Sequence, residues 1–331
     1  MFETFKDKSI LITGGTGSFG RNFTTYALQH FNARRIIIFS RDELKQFQME
    51  KELRDDRLRF FIGDVRDLPR LERAFQGVDI VVHAAALKQV PALEYNPLEA
   101  VKTNIIGSQN VIDAAIDRGV QKVLLISTDK AAHPANLYGS TKQCAEKLFV
   151  SGNHYSPGRT KFGVVRYGNV IGSRGSIVEL LLKKKLANET IHITETEMTR
   201  FWINYMQACE LVCYALEHME GGEVFIPKIP SMKLVDLVET IAPGLQREII
   251  GLRPGEKMHE VLLTLEEARH TLELENYYVI LPEFSPWGIG LYQQYYQTGK
   301  KLPDEFIYSS STNPTQLTPE QLRAVIDSIA V

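Results

Sequence analysis

The sequence predicts an α/β protein: a doubly wound parallel sheet followed by a smaller C-terminal α/β lobe. Three observations predict it. Short apolar strand patterns alternate with helical patterns through the first half of the 331 residues. The first strand pattern runs at once into a glycine-rich turn and a helix. A cluster of reactive side chains follows the fifth strand pattern, at the sheet end where open α/β folds bind ligands.

Ser9 to Thr13 (SILIT) reads as a short buried strand, and GGTGSFG follows it. Gly14, Gly17 and Gly20 are spaced GxxGxxG. Glycines there permit a tight turn, let a pyrophosphate reach backbone N–H groups, and let helix and strand pack closely. Thr16, Ser18 and Phe19, set between them, are read as further dinucleotide contacts. Arg35 to Ser40 (RIIIFS) is the second strand, ending about 20 residues past the turn, where an adenosine ribose is read. Ser40, Arg41, Asp42 and Lys45 stand there. Arg41 and Lys45 suit a 2′-phosphate, which favours NADP over NAD. Asp42 sits beside the ribose and reads first as the N-cap of the next helix.

The third strand and its exit span Arg59 to Asp67; Asp64 is placed to accept from an adenine amine, with Val65 beside the ring. The fourth spans Val78 to Pro91, and Ala84 to Ala86 are small where a cofactor backbone would pass. His83 lies in an apolar run and reads as a satisfied core histidine. Lys88 is placed to reach phosphate or sugar. A long helical pattern containing Asn104 then runs to Gly119. KVLLIST is the fifth strand, and Lys161 to Ser176 a sixth with a glycine-rich exit. After Gly172 the pattern loosens. LLKKKLANE reads as a solvated helix face, and the chain after Glu283 as polar and irregular before a last short helix. The expected division is residues 1–171 for the nucleotide-binding domain and 172–331 for the substrate lobe and tail.

Composition narrows the partners. A net charge of -2 offers no field for nucleic acid or an anionic membrane. MFETFKDK is too polar for a signal peptide, and no apolar run is long enough to span a bilayer. Cys144, Cys209 and Cys213 are too few for a disulfide framework and lack metal-site spacing, so they read as packing residues. A cytoplasmic, metal-free protein is expected, and a homo-oligomer is the expected assembly.

The chemistry gathers in Ser127 to Lys142, STDKAAHPANLYGSTK. The fifth strand delivers Thr128, Asp129 and Lys130 to its carboxyl end. A helix then opens near Tyr138, and Lys142, four residues on, shares its face. The helix is expected to bury Cys144, Ala145, Leu148 and Phe149. A Tyr beside an ammonium and beside the positive nicotinamide of an oxidised cofactor is a candidate base, because both charges favour the phenolate and lower its pKa.

The order TGGTGSFG, GDVRD, HAAA, ST, YGSTK and RYGNV resembles the extended short-chain dehydrogenase/reductase family, which implies an extended Rossmann fold. Simple members need only Thr, Tyr and Lys. The added Asp129 and Lys130, with SRDELKQ, IGDVRD, RYGNVIGSRGS, MTRFWI, FIPKIPSMK and RPGEKMHE, resemble the family's inverting 4,6-dehydratases of UDP-N-acetylglucosamine in pseudaminic acid synthesis. That likeness runs from about Ser9 to Tyr278. It implies Tyr138, with Thr128, as base at the 4-hydroxyl and Lys142 on the ribose. It also implies Lys130, its pKa depressed by burial or nearby cations, as base at carbon 5, and Asp129 as acid for the departing 6-hydroxyl. Lys88, Asn169, Val170, Thr194, Met198, Arg200, Arg253 and Glu256 are the implied substrate contacts. Gln89 and Glu195 depart from the His and Asp common in relatives. A retaining dehydratase, a 4-epimerase and a non-catalytic NADP-sensing scaffold stay open as alternatives.

Overall fold

Six parallel strands form the heart of the molecule in a computed structural model that describes residues 2–283 and 289–329. They are β1 (Ser9–Thr13), β2 (Arg35–Ser40), β3 (Leu58–Ile62), β4 (Ile80–His83), β5 (Lys122–Ile126) and β6 (Lys161–Val165). Their order in the sheet is β3-β2-β1-β4-β5-β6. Direction of winding therefore reverses between β1 and β4, and the crevice at that switch point is where such a sheet takes a ligand. Thr13 pairs with Phe39 on one side and His83 on the other, so their carboxyl ends are level. Helices cover both faces, which is why every residue of β1 and β4 is buried.

Helix starts follow the expected chemistry. Asp42 caps the Glu43–Leu53 helix by accepting from the Lys45 N–H at 3.0 Å. Asn136 caps the Leu137–Gly152 helix by accepting from the Gly139 N–H at 2.9 Å. The long helical pattern around Asn104 is broken, however. Val90–Tyr95 and Pro97–Ala100 are short helices, Val101–Ile106 is a π-helical turn, and Gly107–Arg118 follows, ending at Gly119 in the left-handed region. Pro97 lacks the N–H that continuity across Asn96 would need. The π turn sets Asn104 against Leu87, whose N–H and carbonyl it bonds at 2.8 and 2.9 Å.

The second half of the chain returns to the same sheet. Val224–Pro227 pairs parallel with β6, and Tyr277–Ile280, Thr271–Glu273 and Lys300–Lys301 add antiparallel strands, making ten in all. Residue 171 is thus no boundary of the central sheet. A separate, smaller core does exist beyond it, built around Ile171, Val178, Trp202, Leu237 and Leu322. It packs beside a three-stranded sheet of Asn169–Val170, Thr199–Ile203 and Ser231–Lys233. The tail is more ordered than its polar sequence predicts. Tyr308–Ser309 pairs with Val261–Leu263, and the Pro319–Ile329 helix packs on Leu234–Ile241. The part of the tail at 284–288 lies outside the described residues. Among the described residues, no helix is long and apolar enough to cross a membrane.

His83 is a core histidine, as its apolar setting predicts: Nδ1 bonds Thr13 Oγ1 at 2.7 Å and Nε2 bonds Ser108 Oγ at 3.2 Å. Cys209 and Cys213 are buried on the Tyr205–His218 helix and pack in the main core.

Candidate active site

A cleft of about 760 Å³ opens at the carboxyl ends of the parallel strands. The glycine turn forms one wall. Gly14 has φ +65°, and a Cβ on it would sit 2.8 Å from the Ala85 backbone. A Cβ on Gly20 would lie 2.5 Å from the Gly15 Cα. Together with Gly17, Ser18, Phe19 and the small Ala84, which also line the cleft, this bare backbone makes a cradle open to a pyrophosphate. The residues present therefore fit a dinucleotide. Thr16 is buried beneath the turn. Ser18 Oγ accepts from the Arg174 N–H at 3.1 Å, so the glycine-rich exit after β6 lies against the turn. Lys88 lines the mouth and donates to the Arg174 carbonyl at 3.1 Å.

The residues expected at an adenosine end lie outside the lining of that cleft. Ser40 is buried and accepts from Gln46. Arg41 stands exposed 3.7 Å from Asp64, and Lys45 pairs with Asp42. Asp64 accepts from Arg66 through its backbone and guanidinium; these contacts outweigh burial and hold its carboxyl below the usual range. Val65 is buried beside it.

The expected cluster assembles at the end of β5. Thr128 Oγ1 donates to Asp129 Oδ1 at 2.9 Å. Lys130 Nζ reaches the same oxygen at 2.9 Å and Asn169 Oδ1 at 3.3 Å. Asp129 is 0% exposed, and its Oδ2 has no hydrogen-bond partner among the described residues. A buried acceptor left bare is costly unless a ligand completes it. Tyr138 and Lys142 face the same cleft. Lys142 donates to the Ile126 carbonyl at 2.8 Å.

Two expectations about protonation are corrected. The protein's own groups do not lower the Tyr138 phenol: burial pushes it up to about 12, against Lys130, while Asp129 adds to the rise and a hydrogen bond with Thr128 opposes it, so the lowering expected rests on the charge of an oxidised nicotinamide. The cation that draws it down is Lys130, not its helix neighbour Lys142. Lys130 is not depressed either. Burial favours its neutral form, but the carboxylates of Asp129 and Glu260 outweigh burial and raise it. Asp129 is raised by burial against Lys130. Lys142 does fall, to about 8, because burial outweighs Glu146.

The Leu137–Gly152 helix buries Ala145 and Phe149, but Cys144 and Leu148 are only half-buried. Its inward face is mixed, with Thr141, Lys142 and Glu146 buried beside Ala145 and Phe149. Glu146 accepts from Ser127 and from buried Arg166, and Arg166 also donates to Glu267. The Arg166 guanidinium thereby ties this helix to Leu262, in the Val261–Leu263 strand, and to Glu267, in the short helix that follows it.

At the far wall, Asn169, Val170, Thr194, Arg200, Arg253 and Glu256 line the cleft, as expected of substrate contacts. Thr194 Oγ1 donates to Glu256 Oε1 at 3.5 Å, and Glu256 Oε2 accepts from the Arg253 N–H at 3.2 Å. Met198 is the exception: it is fully buried in the smaller core and touches the site through Arg200 and Thr194, which donate to its sulfur at 2.9 and 3.6 Å. The lysine-rich helix is also not wholly solvated, since Lys183 and Lys184 line the cleft. Sequence reasoning missed Glu260, which stands next to Lys130, and Lys257, which pairs with Glu260; the RPGEKMHE motif that contains both was the available signal.

Fold and site define an extended short-chain dehydrogenase/reductase. Residues 10–282 match the family described as polysaccharide biosynthesis protein. The chain is 48% identical to the UDP-N-acetylglucosamine 4,6-dehydratase (inverting) of Campylobacter jejuni, over 98% of each chain. It is 40% identical to the UDP-glucose 4-epimerase of Rickettsia conorii, over 97% of this chain and 96% of that one. The X-ray structure of Pen from Bacillus thuringiensis matches it with TM-score 0.89 at 40% identity, covering 99% of each. The chain belongs to the polysaccharide biosynthesis protein family and, within it, groups with the inverting UDP-N-acetylglucosamine 4,6-dehydratases.

Proposed function

We propose that this enzyme converts UDP-N-acetylglucosamine to UDP-2-acetamido-2,6-dideoxy-β-L-arabino-hex-4-ulose, with inversion at carbon 5 and with NADP as its resident cofactor. The observation that carries the reading is the Asp129–Lys130 contact at 2.9 Å beside Thr128 and Tyr138. An oxidoreductase of this class needs no such acid–base pair; an elimination does.

The glycine turn would hold the pyrophosphate of the dinucleotide, and Lys142 would hold its nicotinamide ribose. The bound cofactor supplies a hydride acceptor at carbon 4 and a hydride donor at carbon 6. Tyr138, its phenolate favoured by Lys130 and by the positive charge that an oxidised nicotinamide would bring, takes the proton of the 4-hydroxyl. The resulting ketone acidifies the hydrogen on carbon 5. Lys130 passes its own proton to Asp129 across their short contact and, now neutral, removes that hydrogen. Asp129 gives its proton to the departing 6-hydroxyl, and its bare Oδ2 is the atom free to do so. As hydride returns to carbon 6, a proton from solvent water adds to the face of carbon 5 opposite Lys130 and yields the L-configured sugar. Arg200, Arg253 and Lys88 would neutralise the substrate pyrophosphate, and Thr194, Asn169 and Glu256 would hold sugar and ribose hydroxyls.

The exposed Arg41 and Lys45 at the end of β2 support NADP over NAD. We expect Arg41→Ala to weaken NADP at least tenfold more than NAD in a fluorescence titration; equal loss for both would remove the 2′-phosphate role. A cytoplasmic setting, a homo-oligomeric assembly and delivery of the product to pseudaminic acid synthesis complete the proposal.

The test is product NMR after incubation with UDP-N-acetylglucosamine in deuterated water. We expect a 4-keto-6-deoxy sugar of L-configuration carrying deuterium at carbon 5. A carbon-4 epimer without deuterium would make the chain an epimerase, and a D-configured product a retaining dehydratase.

A further inference from the structure

Behind Lys130 stands a second buried carboxylate that the steps above do not use. Glu260 is 2% exposed, and its Oε1 lies 3.4 Å from Lys130 Nζ. Its Oε2 lies 2.9 Å from Lys257 Nζ, and Arg200 Nε is 3.9 Å from Oε1. Lys257 is itself fixed, donating to the Ala132 carbonyl at 3.0 Å. The backbone of Glu260 is held by the C-terminal tail: its N–H donates to Ser310 Oγ at 2.9 Å and its carbonyl accepts from the Ser310 N–H at 2.8 Å. A carboxylate so deeply buried, and so firmly placed, is costly unless its charge is used.

We propose that Glu260 is a positioning residue for dehydration, the counter-ion that keeps one proton on the Asp129–Lys130 pair and receives the ammonium formed at carbon 5. The inference rests on the dehydratase reading. In the elimination, the C–H proton goes to Lys130 Nζ and the Asp129 proton goes to oxygen 6, which leaves as water. The pair thus passes from acid and amine to carboxylate and ammonium. The ammonium is made in a buried place, and Glu260 is the ionised group waiting for it. The charged groups facing Glu260 are Lys130 and Asp129 from the turn after β5, Arg200 from the Thr199–Ile203 strand, and Lys257 from its own loop. Against burial, Lys130 and then Lys257 and Arg200 hold Glu260 ionised, and the last two stay charged when Lys130 gives up its proton, which leaves the mobile proton to the Asp129–Lys130 pair.

The charges predict shifts of opposite sign. Glu260→Gln removes a negative charge, so the pair should lose its proton at lower pH. The alkaline limb of kcat/KM for dehydration should move down by at least one pH unit. Turnover at neutral pH should fall tenfold or more, while the initial burst of cofactor reduction at carbon 4 persists. Glu260→Asp should restore most of the limb position. Lys257→Met removes a positive charge and should move the limb to higher pH. This variant is informative even if Glu260→Gln does not fold. An unmoved limb in Glu260→Gln, or a limb moving the same way in both variants, would overturn the inference. A wild-type protein that dehydrates nothing would instead bring down the dehydratase reading, and this inference with it.

Discussion

His83 occupies the level of the sheet where chemistry begins, yet it is closed to the cleft. Its ring lies between Thr13 and Ser108 and stacks on Phe149 at 5.8 Å. Burial first, and Lys142 second, hold its pKa down to about 3 against an ordinary 6.5. The sign follows from linkage. The unfolded chain takes up this proton near pH 6.5 and the folded one does not, so stability is lost as pH falls from 6.5 toward about 3. The loss is about 1.4 kcal/mol per pH unit across that window. We expect His83→Gln to flatten the fall in denaturation free energy between pH 7 and 5 by about 2 kcal/mol. An unchanged slope would show that other groups govern acid sensitivity. At this scale the sequence was a good guide to membership and a poor one to protonation. Thr128, Asp129, Lys130, Tyr138 and Lys142 were legible because a strand end and one helix turn place them together. The raised Lys130 was only half legible: of the carboxylates that outweigh its burial, Asp129 is its neighbour in sequence, but Glu260 comes from a distant stretch of the chain.

The glycine turn between β1 and the Ser18–His30 helix shows how an element can be written into local spacing. Its three glycines were legible because each is needed where backbone meets backbone or ligand. Gly20→Ala tests this directly. The new Cβ would meet the Gly15 Cα at 2.5 Å, and neither backbone has a flexible side chain to yield. We expect a loss of about 1–3 kcal/mol in stability, read by urea denaturation, with cofactor affinity reduced at least tenfold. Wild-type affinity in a folded variant would contradict the packing argument. The helical run around Asn104 was legible only in outline. An apolar period near that of an α-helix does not distinguish a continuous helix from short pieces joined by a π turn. What decides the matter is the bond from Asn104 to Leu87, a contact between segments.

Across the whole molecule, Arg166 at the end of β6 joins the Leu137–Gly152 helix, through Glu146, to the chain near Glu267. Its side chain is 3% exposed and that of Glu146 is 4% exposed, so neither charge has water to fall back on. Arg166→Ala should cost about 3–5 kcal/mol, since it strands a buried carboxylate. Calorimetry would check it, and a change below about 1 kcal/mol would mean that Glu146 is neutral or resolvated. The doubly wound half was legible because each strand and helix carries its own period. The return of later strands to the same sheet was not, since pairing across long separations leaves no periodic mark on either partner. The outermost of those returning strands, Lys300–Lys301, has a further effect. A second molecule docking its own rim there would set like charges face to face along an open ladder. That end of the molecule is thereby guarded against fibre growth by the residues that finish it.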